Sequence, residues 1–585
     1  MSKTTRSAAG KIWQAREIDD RLVLTIMQKY NLEEFIARIL VARDIPINNI
    51  ENFLEPRLKN NLVDPFHLKD MEKAVNRIIA ALNANELICI LADYDVDGAT
   101  SASLLKNILR DLGIEAIIYV PDRIKEGYGP SSSIMQKLKN IGIKLVITVD
   151  CGSLAFEACN TAKELNLDLV IIDHHITSTT LPDVVALVNP NRFDEDSTYG
   201  YLAAVGVTFL VCMALVSRLK SQNNMQASRV NLLNYLDLVA LGTVCDVVPL
   251  KDLNRAFVYQ GLKILQNTNN IGLKALIESA ALTEPARCYH LGYVLGPRIN
   301  AGGRVGKSES GCKLLTTKCS DEALSISARL QEYNVTRQKI EAENYLEATS
   351  QVIDKNITNF LFVKGSWHQG VVGLIASKLK ESYALPSFAI TFVDDNLAKG
   401  SCRSVNGVDI GSIILRAKSS GIILEGGGHA MAAGFSLKRD NIENFSNYLQ
   451  EEFNKHQDKI NSNSICEYDA EIISNSLSDI MAQQLKRLAP FGAHNPEPIF
   501  KINNLFIFKT QILATKHIKC MLLPNKSTNA NKILEAIAFN SAHNTLGHIL
   551  LSPNKAQEIA VIGKININYF RGEEKLQLII QDIII

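Results

Sequence analysis

The stretch LICILADYDVDG, residues 87–98, decides the fold of the N-terminal half of this 585-residue chain. Its first six residues form an apolar run of strand length, and the remaining six, DYDVDG, supply three acids in a turn. A helical stretch, TSASLLKNILRDLG (100–113), comes directly afterwards. A short apolar run that leads through a polar turn into a helix is typical of a βαβ unit. We therefore predict a buried strand followed by a crossover helix.

The same alternation continues along the chain. AIIYV (116–120), KLVITVD (144–150) and DLVIID (168–173) have the composition of buried strands. Helical stretches separate them, SSSIMQKLKNIG (131–142) and LAFEACNTAKELN (154–166). Strands that alternate with helices of this length predict a parallel sheet, so the fold class is α/β.

The remaining sequence predicts several further domains. No Gly or Pro occurs between Gly311 and Gly365, which favours a long helix, and short β-prone runs dominate the last 120 residues, which favours a small barrel such as an OB-fold. The predicted organisation is an N-terminal extension (1–75), a parallel-sheet domain (76–310), a connecting helix (311–356), a second α/β domain (357–457) and a C-terminal β-barrel (466–585).

Composition indicates an intracellular globular protein. The chain carries 62 basic and 61 acidic residues, and this balance neither supports nor excludes nucleic acid, since a local basic groove can bind DNA at zero net charge. Eleven cysteines without regular spacing suit a reducing cytoplasm. The N-terminus lacks the apolar segment of a signal peptide, and the longest apolar run (201–216) is too short to cross a membrane. We expect that run to be a buried helix.

Acids stand at the ends of three predicted strands of one sheet. Ligands bind beyond the carboxyl ends of parallel strands, and acids gathered there repel one another unless a divalent cation neutralises them. The residues are Asp93, Asp95 and Asp97 after the first strand, Asp150 after the third, and Asp173 with His174 and His175 after the fourth. Their gathering predicts a metal site for Mg²⁺ or Mn²⁺.

A further acid, Asp246, lies inside the apolar segment LGTVCDVVPL. A single acid in such a segment is either paired with a cation or bound to a metal, and the other acids favour the metal. Mixed Asp and His ligation of two metals is suited to phosphoester hydrolysis. The sequence shows neither a phosphate-binding P-loop nor a Ser–His–Asp arrangement.

These motifs resemble a known family. DYDVDG, VDCG, DHH and GTVCDVVPL, in this order, are similar to the four motifs of the DHH phosphoesterases. Further similar segments are PRINAGGRVG (297–306), WHQGVVGLIASKL (367–379), GGGHAMAAGF (426–435), PFGAHNPEPIF (490–500) and LQLIIQDI (576–583). The resemblance is to the DHH/DHHA1 family, and within it to the single-strand-specific DNA exonucleases.

The resemblance implies a 5′→3′ exonuclease that degrades single-stranded DNA to mononucleotides by two-metal hydrolysis. It implies Mn²⁺ or Mg²⁺ as cofactor and a role in DNA recombination and repair. It also implies a cytoplasmic monomer, with a single-strand-binding protein and a RecQ-type helicase as partners.

The resemblance also assigns roles to the strand-end residues. It implies that the metal ligands are Asp95, Asp97, Asp150, His174 and Asp246. Asp93 and His175 match catalytic positions close to the metals, with His175 near the scissile phosphate. Some relatives have a histidine ligand two residues before the first acid, where this chain has Leu91, so water would complete that metal's coordination.

The resemblance also implies that six residues outside the four DHH motifs hold the DNA. Arg123, Ser401 and Arg403 match a pocket for the 5′-terminal phosphate. Arg298 and Arg304 match contacts to nearby phosphates, and His429 lies in a Gly-rich loop whose backbone N–H groups can approach an anion. Each arginine taken alone is also compatible with an ordinary solvated or paired surface residue.

Two other functions remain open at this point. One is a DHH-type phosphodiesterase that acts on short oligonucleotides or cyclic dinucleotides, or a pyrophosphatase; the C-terminal β domain argues against both. The other is an inactive protein that binds single strands, against which the complete set of motif acids and histidines argues.

Overall fold

The first and last segments of the chain belong to one structural unit, and everything between them belongs to another. The computed structural model describes residues 6–62, 64–353, 359–456, 465–524, 533–552, 558–570 and 573–585. The first unit comprises residues 1–56 and 461–585, and the second comprises residues 57–460. The predicted N-terminal extension (1–75) is therefore divided between the two units.

The N-terminal segment is mainly helical. Helix α1 is capped by Asp19, whose side chain accepts a hydrogen bond from the Arg21 backbone N–H. Helix α2 buries Ile36, Ile39 and Leu40, at helical spacing, in the core of the first unit. The elements are β1 (Ile12–Ala15), α1 (Asp20–Tyr30), α2 (Glu34–Ala42) and α3 (Ile50–Leu54).

The second unit contains the predicted parallel sheet. Its strand order is β3-β2-β4-β5-β6, all pairs are parallel, and β2 and β4 are buried along their whole length. The strands are β2 (Ile88–Ala92), β3 (Ile117–Tyr119), β4 (Leu145–Val149), β5 (Asp168–Ile172) and β6 (Ala186–Val188). The helices before and between them are α4 (Leu58–Asn61), α5 (Met71–Asn83), α6 (Val96–Asp111), α7 (Ser132–Asn140) and α8 (Phe156–Glu164).

A helical layer completes this domain. The apolar run 201–216 lies mostly in α9, which is long and apolar enough to cross a membrane, but 72% of its 18-residue window is buried inside the protein. It is a core helix, as predicted. The helices are α9 (Ala204–Ser221), α10 (Met225–Arg229), α11 (Leu236–Cys245), α12 (Asp252–Leu265), α13 (Ile271–Ser279), α14 (Cys288–His290), α15 (Gly296–Val305) and α16 (Ser310–Thr316). A π-helical turn, Leu291–Leu295, joins α14 to α15.

Of the predicted connecting helix (311–356), residues 320–353 form α17 (Ser320–Ile353), which spans 34 residues, whereas residues 311–316 belong to the separate helix α16. Residues 354–356 of the predicted range lie outside the described residues. The C-terminal part of α17 is fixed to the second α/β domain, because Trp367 Nε1 donates to Glu347 Oε2 at 2.9 Å and Lys378 pairs with Glu341 at 2.7 Å. The connecting helix is thus held by one of the domains that it links.

The second α/β domain has a mixed sheet of order β10-β11-β9-β8-β7, in which the pair β7–β8 is parallel and the other pairs are antiparallel. Its elements are β7 (Leu361–Gly365), α18 (Val372–Tyr383), β8 (Ser387–Phe392), β9 (Leu397–Arg403), α19 (Ile410–Ser419), β10 (Glu425–His429), β11 (Ala432–Lys438) and α20 (Ile442–Asn454).

The C-terminal domain is a closed barrel, which confirms the predicted fold. The strands follow the order β13-β14-β15-β16-β18-β17, and pairing of β17 with β14 closes five of them into a ring. Residues 458–464, between the predicted second α/β domain and the predicted barrel, lie outside the described residues. The elements are β12 (Ile465–Tyr468), β13 (Ala470–Ile473), α21 (Asp479–Lys486), β14 (Phe500–Leu513), β15 (His517–Leu523), β16 (Leu534–Ala538), α22 (Thr545–Leu550), β17 (Glu558–Phe570) and β18 (Glu573–Ile584).

Backbone pairing and a buried acid join the N-terminal segment to the barrel. Strand β1 pairs in parallel with β12. Asp582, on β18, is 1% exposed and accepts hydrogen bonds from the Ser7 hydroxyl, the Ala9 N–H and Trp13 Nε1. Residues more than 560 positions apart in the sequence therefore share one core.

Candidate metal centre and phosphate site

DYDVDG forms the tight connection from β2 to α6 and turns its acids toward the end of the sheet. Asp95 is the N-cap of α6 and accepts a hydrogen bond from the Gly98 N–H at 3.1 Å. Gly98 packs directly on the Asp93 backbone, where a Cβ would collide with the Asp93 carbonyl. Asp97, in the first turn of α6, accepts from the N–H groups of Ala204 and Val205 at 2.7 and 2.9 Å. The start of α9 thus fixes the Asp97 carboxylate.

Asp150 follows β4 in a left-handed backbone conformation, with φ +62°. Its side chain is 2% exposed, and its Oδ1 lies 3.4 Å from His174 Nε2. The next residue but one, Gly152, has φ +117°, and a Cβ there would lie 2.8 Å from Thr148 Oγ1. The VDCG motif therefore needs its glycine for the turn that presents Asp150.

The DHH motif follows β5, and its three side chains have different tasks. Asp173 is buried and accepts from His175 Nδ1 at 2.7 Å, from the His174 N–H at 2.8 Å and from the Ser153 N–H at 3.1 Å. Burial opposes ionisation of Asp173, but the hydrogen bond from His175 and the two imidazoles hold its pKa below the ordinary value. Asp173 is a charged residue that orients His175.

His174 is oriented through its other ring nitrogen. Its Nδ1 lies 3.1 Å from the Leu202 carbonyl oxygen, so Nδ1 carries the proton and Nε2 keeps a free lone pair. Nε2 points at Asp150 and lies 3.6 Å from Asp246 Oδ2. Burial lowers the pKa of His174 to about 4, which keeps the imidazole neutral. A neutral imidazole with a lone pair turned inward is the form that binds metals.

Asp246 ends α11 as its C-cap and brings the last carboxylate from the helical layer. Val247, the next residue, has φ +60° and is 70% exposed. A β-branched residue in this conformation is strained, and such strain occurs where a neighbouring functional group must be held in place. Here the neighbour is Asp246.

The predicted acids and histidines converge. Three groups of three side chains have ligand atoms within 4.8 Å of one another: Asp93–Asp95–Asp150, Asp97–His174–Asp246 and Asp150–His174–His175. Three atoms in this centre are buried with no hydrogen-bond partner, namely Asp93 Oδ1, His174 Nε2 and Asp246 Oδ2. Buried polar atoms without partners are costly, and divalent cations would satisfy all three.

The electrostatics of the centre lead to the same conclusion. Burial, reinforced by neighbouring carboxylates, raises the pKa of Asp93, Asp150 and Asp246 well above the ordinary value, and that of Asp97 to about 7. Carboxylates so close together cannot all be charged without compensation. The donor set of oxygens with one or two imidazoles fits Mn²⁺ or Mg²⁺. Leu91 is fully buried in the sheet and offers no ligand atom.

Three of the predicted arginines, Arg123, Arg304 and Arg403, lie beside this centre and close enough to one another to repel electrostatically. The guanidinium of Arg123 stacks on the Tyr94 ring, 4.7 Å from its centroid. Arg304 Nη1 donates to the Gly370 carbonyl at 2.9 Å, which joins α15 to the second α/β domain. Burial, and then repulsion by Arg123 and other arginines, lowers the pKa of Arg304 to about 10. No carboxylate pairs with Arg123, Arg304 or Arg403 within the described ranges, so an anion would be stabilised there.

Ser401 and Arg403 lie on β9 next to the start of α18. Arg403 Nη1 donates to Ser401 Oγ at 2.9 Å, and burial lowers the pKa of Arg403. A methyl group on Gly373, in the first turn of α18, would lie 3.2 Å from both Ser401 Oγ and Arg403 Nη2. The positive end of a 12-residue helix therefore faces the same two side chains.

Arg298 and His429 complete the predicted set. Arg298 Nη1 donates to the Val294 carbonyl at 2.6 Å, while its Nε is buried without a partner. His429 ends β10, and its Nδ1 accepts from the Met431 N–H at 3.3 Å. Burial lowers the pKa of His429, and the positive charges of Arg403 and, more weakly, His175 lower it further. This imidazole thus lies within electrostatic range of both the arginines and the DHH histidine.

Two aromatic residues in the site were not predicted. Tyr94, within DYDVDG, supports Arg123, and Tyr128 donates from its hydroxyl to the Asp150 carbonyl at 3.0 Å while its ring meets His175 edge to face at 6.2 Å. Tyr94 stands between two acids of a motif that drew attention only to carboxylates. Tyr128 lies in the loop after β3, where sequence alone gives no signal for a contact with Asp150.

Family models match all three globular parts of the chain. The DHH family N-terminal domain matches residues 87–243, the DHHA1 domain matches residues 354–455 and the RecJ OB domain matches residues 468–582. The three models occur in the order of the parallel-sheet domain, the second α/β domain and the barrel.

Whole-chain relatives are similar over nearly the full length of this chain. The chain is 33% identical to the single-stranded-DNA-specific exonuclease RecJ of Haemophilus influenzae, over 93% of this chain and 99% of that protein. It is 31% identical to the protein of the same name in Bacillus subtilis, over 97% of this chain and 70% of that protein. The structure of RecJ from Thermus thermophilus in complex with Mn²⁺ superposes with a TM-score of 0.77 at 23% identity, covering 100% of this chain and 80% of that one.

Proposed function

We infer the activity of this chain from its family: it belongs to the RecJ single-stranded-DNA-specific exonucleases. It is a metal-dependent nuclease that hydrolyses phosphodiester bonds of single-stranded DNA. One observation supports this above all, namely that a buried group of acids and imidazoles lies beside arginines that have no acidic partner in the described chain. The first group suits metal-assisted hydrolysis and the second suits a phosphate.

We propose that two divalent ions are held by the two groups Asp93–Asp95–Asp150 and Asp97–His174–Asp246. Mn²⁺ or Mg²⁺ bound there supplies Lewis-acid stabilisation of the phosphodiester and lowers the pKa of the attacking water. In this assignment Asp93 acts as a ligand, because it belongs to the first group and its Oδ1 is buried without a hydrogen-bond partner. The protein contributes fixed geometry: Asp97 is held by the start of α9 and His174 by the Leu202 carbonyl.

His175 acts on the scissile phosphate. Its Nδ1 is held by Asp173, so Nε2 is free to face the substrate, and the ring is 48% exposed toward solvent. Burial alone would lower the pKa of His175, but the hydrogen bond and charge of Asp173 raise it above the ordinary value. A cationic imidazole here donates a hydrogen bond to a phosphate oxygen and stabilises charge that develops during hydrolysis.

The arginine group sets the polarity of digestion. Arg123, Ser401 and Arg403, with the first turn of α18, hold the 5′-terminal phosphate, while Arg298 and Arg304 contact adjacent phosphates. With the 5′ end fixed beside the metal centre, the bond presented for hydrolysis is the first one of the strand. Water adds to the second phosphorus and the 3′ oxygen of the terminal nucleotide leaves. The products are a 5′-mononucleotide and a strand that is shorter by one residue and again carries a 5′-phosphate.

Recombination and repair are the processes that consume such strands. The cytoplasm is the proposed compartment, and the state of the cysteines supports it, since all eleven are free. A single-strand-binding protein and a RecQ-type helicase are proposed partners by family resemblance, and the chain is proposed to act as a monomer.

The test is digestion of end-labelled single-stranded DNA with and without Mn²⁺, with a duplex of the same sequence as control. The expected result is metal-dependent release of the 5′ label as a mononucleotide while the duplex persists. Asp97→Asn is the matched inactive variant, checked for folding by circular dichroism. Release of the 3′ label first would contradict the proposed polarity. Turnover of dinucleotides without digestion of long strands would instead favour the alternative of a DHH-type phosphodiesterase for short or cyclic substrates.

A further inference from the structure

Two exposed tyrosines form a stacked pair on the surface of the second unit. The rings of Tyr289 and Tyr293 are nearly parallel, with an interplanar angle of 23° and centroids 5.3 Å apart. Tyr289 is 60% exposed and Tyr293 is 75% exposed. Large aromatic side chains usually bury their area, and clustered exposed ones mark binding surfaces. The pair presents aromatic surface to an outside partner.

The backbone beneath the tyrosines is rigid. They flank the junction of α14 with the π-helical turn Leu291–Leu295, a type of turn that is frequent at functional sites. Between them, the buried His290 accepts from the Arg287 N–H at 3.0 Å through Nδ1 and lies 3.2 Å from Glu284 through Nε2. The stacked pair is therefore already in place before any ligand binds.

The helical segment that carries the pair packs against the residue before the ligand Asp246 and also carries the proposed phosphate-binding arginines. Cys245 Sγ donates to the Leu291 carbonyl at 3.3 Å, and Cys245 immediately precedes Asp246. In the other direction the segment continues into α15, which carries Arg298 and Arg304. Tyr293 and Arg304 are eleven positions apart, roughly 16 Å along a helix axis. One helical segment thus carries the tyrosines and the arginines and contacts the residue before a metal ligand.

We propose that Tyr289 and Tyr293 are a base-stacking platform for the strand on the 3′ side of the scissile phosphate. This proposal rests on the proposed exonuclease function. With the 5′-terminal phosphate at Arg403 and the scissile phosphate at the metals, the rest of the strand has to continue beyond the metals, and the segment that carries the pair packs beside the ligand Asp246. Aromatic stacking accepts every base, and the nearby arginines match the negative backbone. Bases paired in a duplex are already stacked on one another, so the platform favours single strands.

The experiment compares Tyr289→Ala/Tyr293→Ala with Tyr289→Phe/Tyr293→Phe. Tyr259→Ala, on α12, removes an aromatic ring elsewhere and serves as the control. Kinetics with Mn²⁺ are measured on a long 5′-phosphorylated strand and on a 5′-phosphorylated dinucleotide. In the alanine variant we expect KM for the long strand to rise about tenfold or more, by loss of stacking. We expect the dinucleotide kinetics of both variants, and all kinetics of the phenylalanine variant and the control, to match wild type.

Fluorescence of 2-aminopurine placed a few nucleotides from the 5′ end gives a readout that does not depend on hydrolysis. Stacking quenches the probe, so wild type and the phenylalanine variant should quench it and the alanine variant should not. An unchanged KM for the long strand with unchanged quenching in the alanine variant would overturn the platform. Equal losses in the phenylalanine variant would do the same, because they indicate hydrogen bonding. Failure of wild type to digest any strand would instead reject the exonuclease function itself.

Discussion

Asp173 and Asp97 are both buried acids at the same edge of one sheet, yet their surroundings give them opposite behaviour. Burial opposes the charge of each. Asp173 receives a hydrogen bond from His175 and its pKa stays low, whereas Asp97 faces Asp95 and its pKa rises to about 7. Asp173 therefore has a cationic hydrogen-bond partner in His175, whereas the donors to Asp97 are neutral backbone N–H groups. This difference separates the residue that orients a histidine from the residues that need a metal.

Asp173→Asn tests the orienting role. The variant keeps the shape of the side chain but replaces a charged acceptor for His175 Nδ1 by a neutral amide, so the imidazole loses its fixed orientation. We expect kcat to fall by roughly 10- to 100-fold, with KM and the Mn²⁺ content of the protein little changed. The measurement is steady-state kinetics together with metal analysis of the purified variant. Loss of bound Mn²⁺ in proportion to activity would show that Asp173 is a ligand instead.

Asp246→Asn tests the metal assignment. The substitution removes one charge from the crowded centre, so the metal-free variant should melt at the same temperature as wild type or higher. Mn²⁺ should raise the melting temperature of wild type, because it binds the folded state, and should raise that of the variant much less. Activity should fall by about 10³-fold, since stabilisation of several kcal/mol is lost. An undiminished Mn²⁺ effect on melting would exclude Asp246 as a ligand.

The stability of the metal-free protein should depend on pH in a direction that the centre determines. The pKa of Asp97 in the folded protein, about 7, exceeds that of an unfolded aspartate, so the folded state gains protons as the pH falls through 7 and stability rises. His174 opposes this only at lower pH, because an unfolded imidazole takes up its proton near 6.5 and the buried one does not. Melting temperature should therefore increase from pH 8 to about 6.5 in chelator, and Mn²⁺ should abolish the increase.

At the scale of residues, the sequence predicted where the metal centre lies but not which role each acid has in it. The position of an acid at a strand end fixes which edge of the sheet it occupies, and that was enough to bring Asp93, Asp150 and Asp173 together. Which acid receives a hydrogen bond depends on angles of the folded loop, such as the turn at Gly152 that lets the Ser153 N–H reach Asp173. The spacing of residues in the sequence does not predict such backbone angles.

At the scale of elements, the metal centre depends on where helix α6 begins. Helix α6 was predicted from residue 100 and begins at Val96, because Asp95 caps it and draws DVDG into its first turn. The prediction treated the acidic motif as a loop. The early start matters, since it places Asp97 on the helix, where the backbone of α9 can reach it.

Arg403→Ala tests the element that recognises the strand end, formed by β9 and the first turn of α18. The variant should lose most of its preference for 5′-phosphorylated over 5′-hydroxyl strands, because the arginine supplies a charge-assisted hydrogen bond to the phosphate. The ratio of kcat/KM values for the two substrates measures this preference. Arg439→Ala is the control, since Arg439 lies on the same domain in a surface pair with Asp395. Equal losses on both substrates would refute the end-recognition role.

At the scale of the whole molecule, the chain joins its two ends in one unit. The fold class was predictable because each domain has its own periodicity. The partnership of the N-terminal segment with the barrel was not, because its contacts, such as Trp13 with Asp582, connect residues that no local pattern relates.

Asp582→Asn tests this partnership, and the two tryptophans of the chain report on one unit each. An amide places N–H groups against the donors Ser7 and Trp13, so the first unit should lose about 1 to 3 kcal/mol of stability. In a Trp367→Phe background, the fluorescence of Trp13 should show an earlier unfolding transition in urea. In a Trp13→Phe background, Trp367 should report an unchanged transition for the second unit. A shift of both transitions would show that the units unfold together.

The shared core of the two ends also has a consequence for synthesis. The ribosome makes α2 first and the barrel last, with roughly 400 residues between them, which at bacterial translation rates takes roughly 20 to 80 seconds. During that interval Ile36, Ile39 and Leu40 lack the barrel residues of their core and stay available to chaperones and proteases. Protease treatment of stalled nascent chains should cleave the first 56 residues until β18 has emerged, and should spare them afterwards.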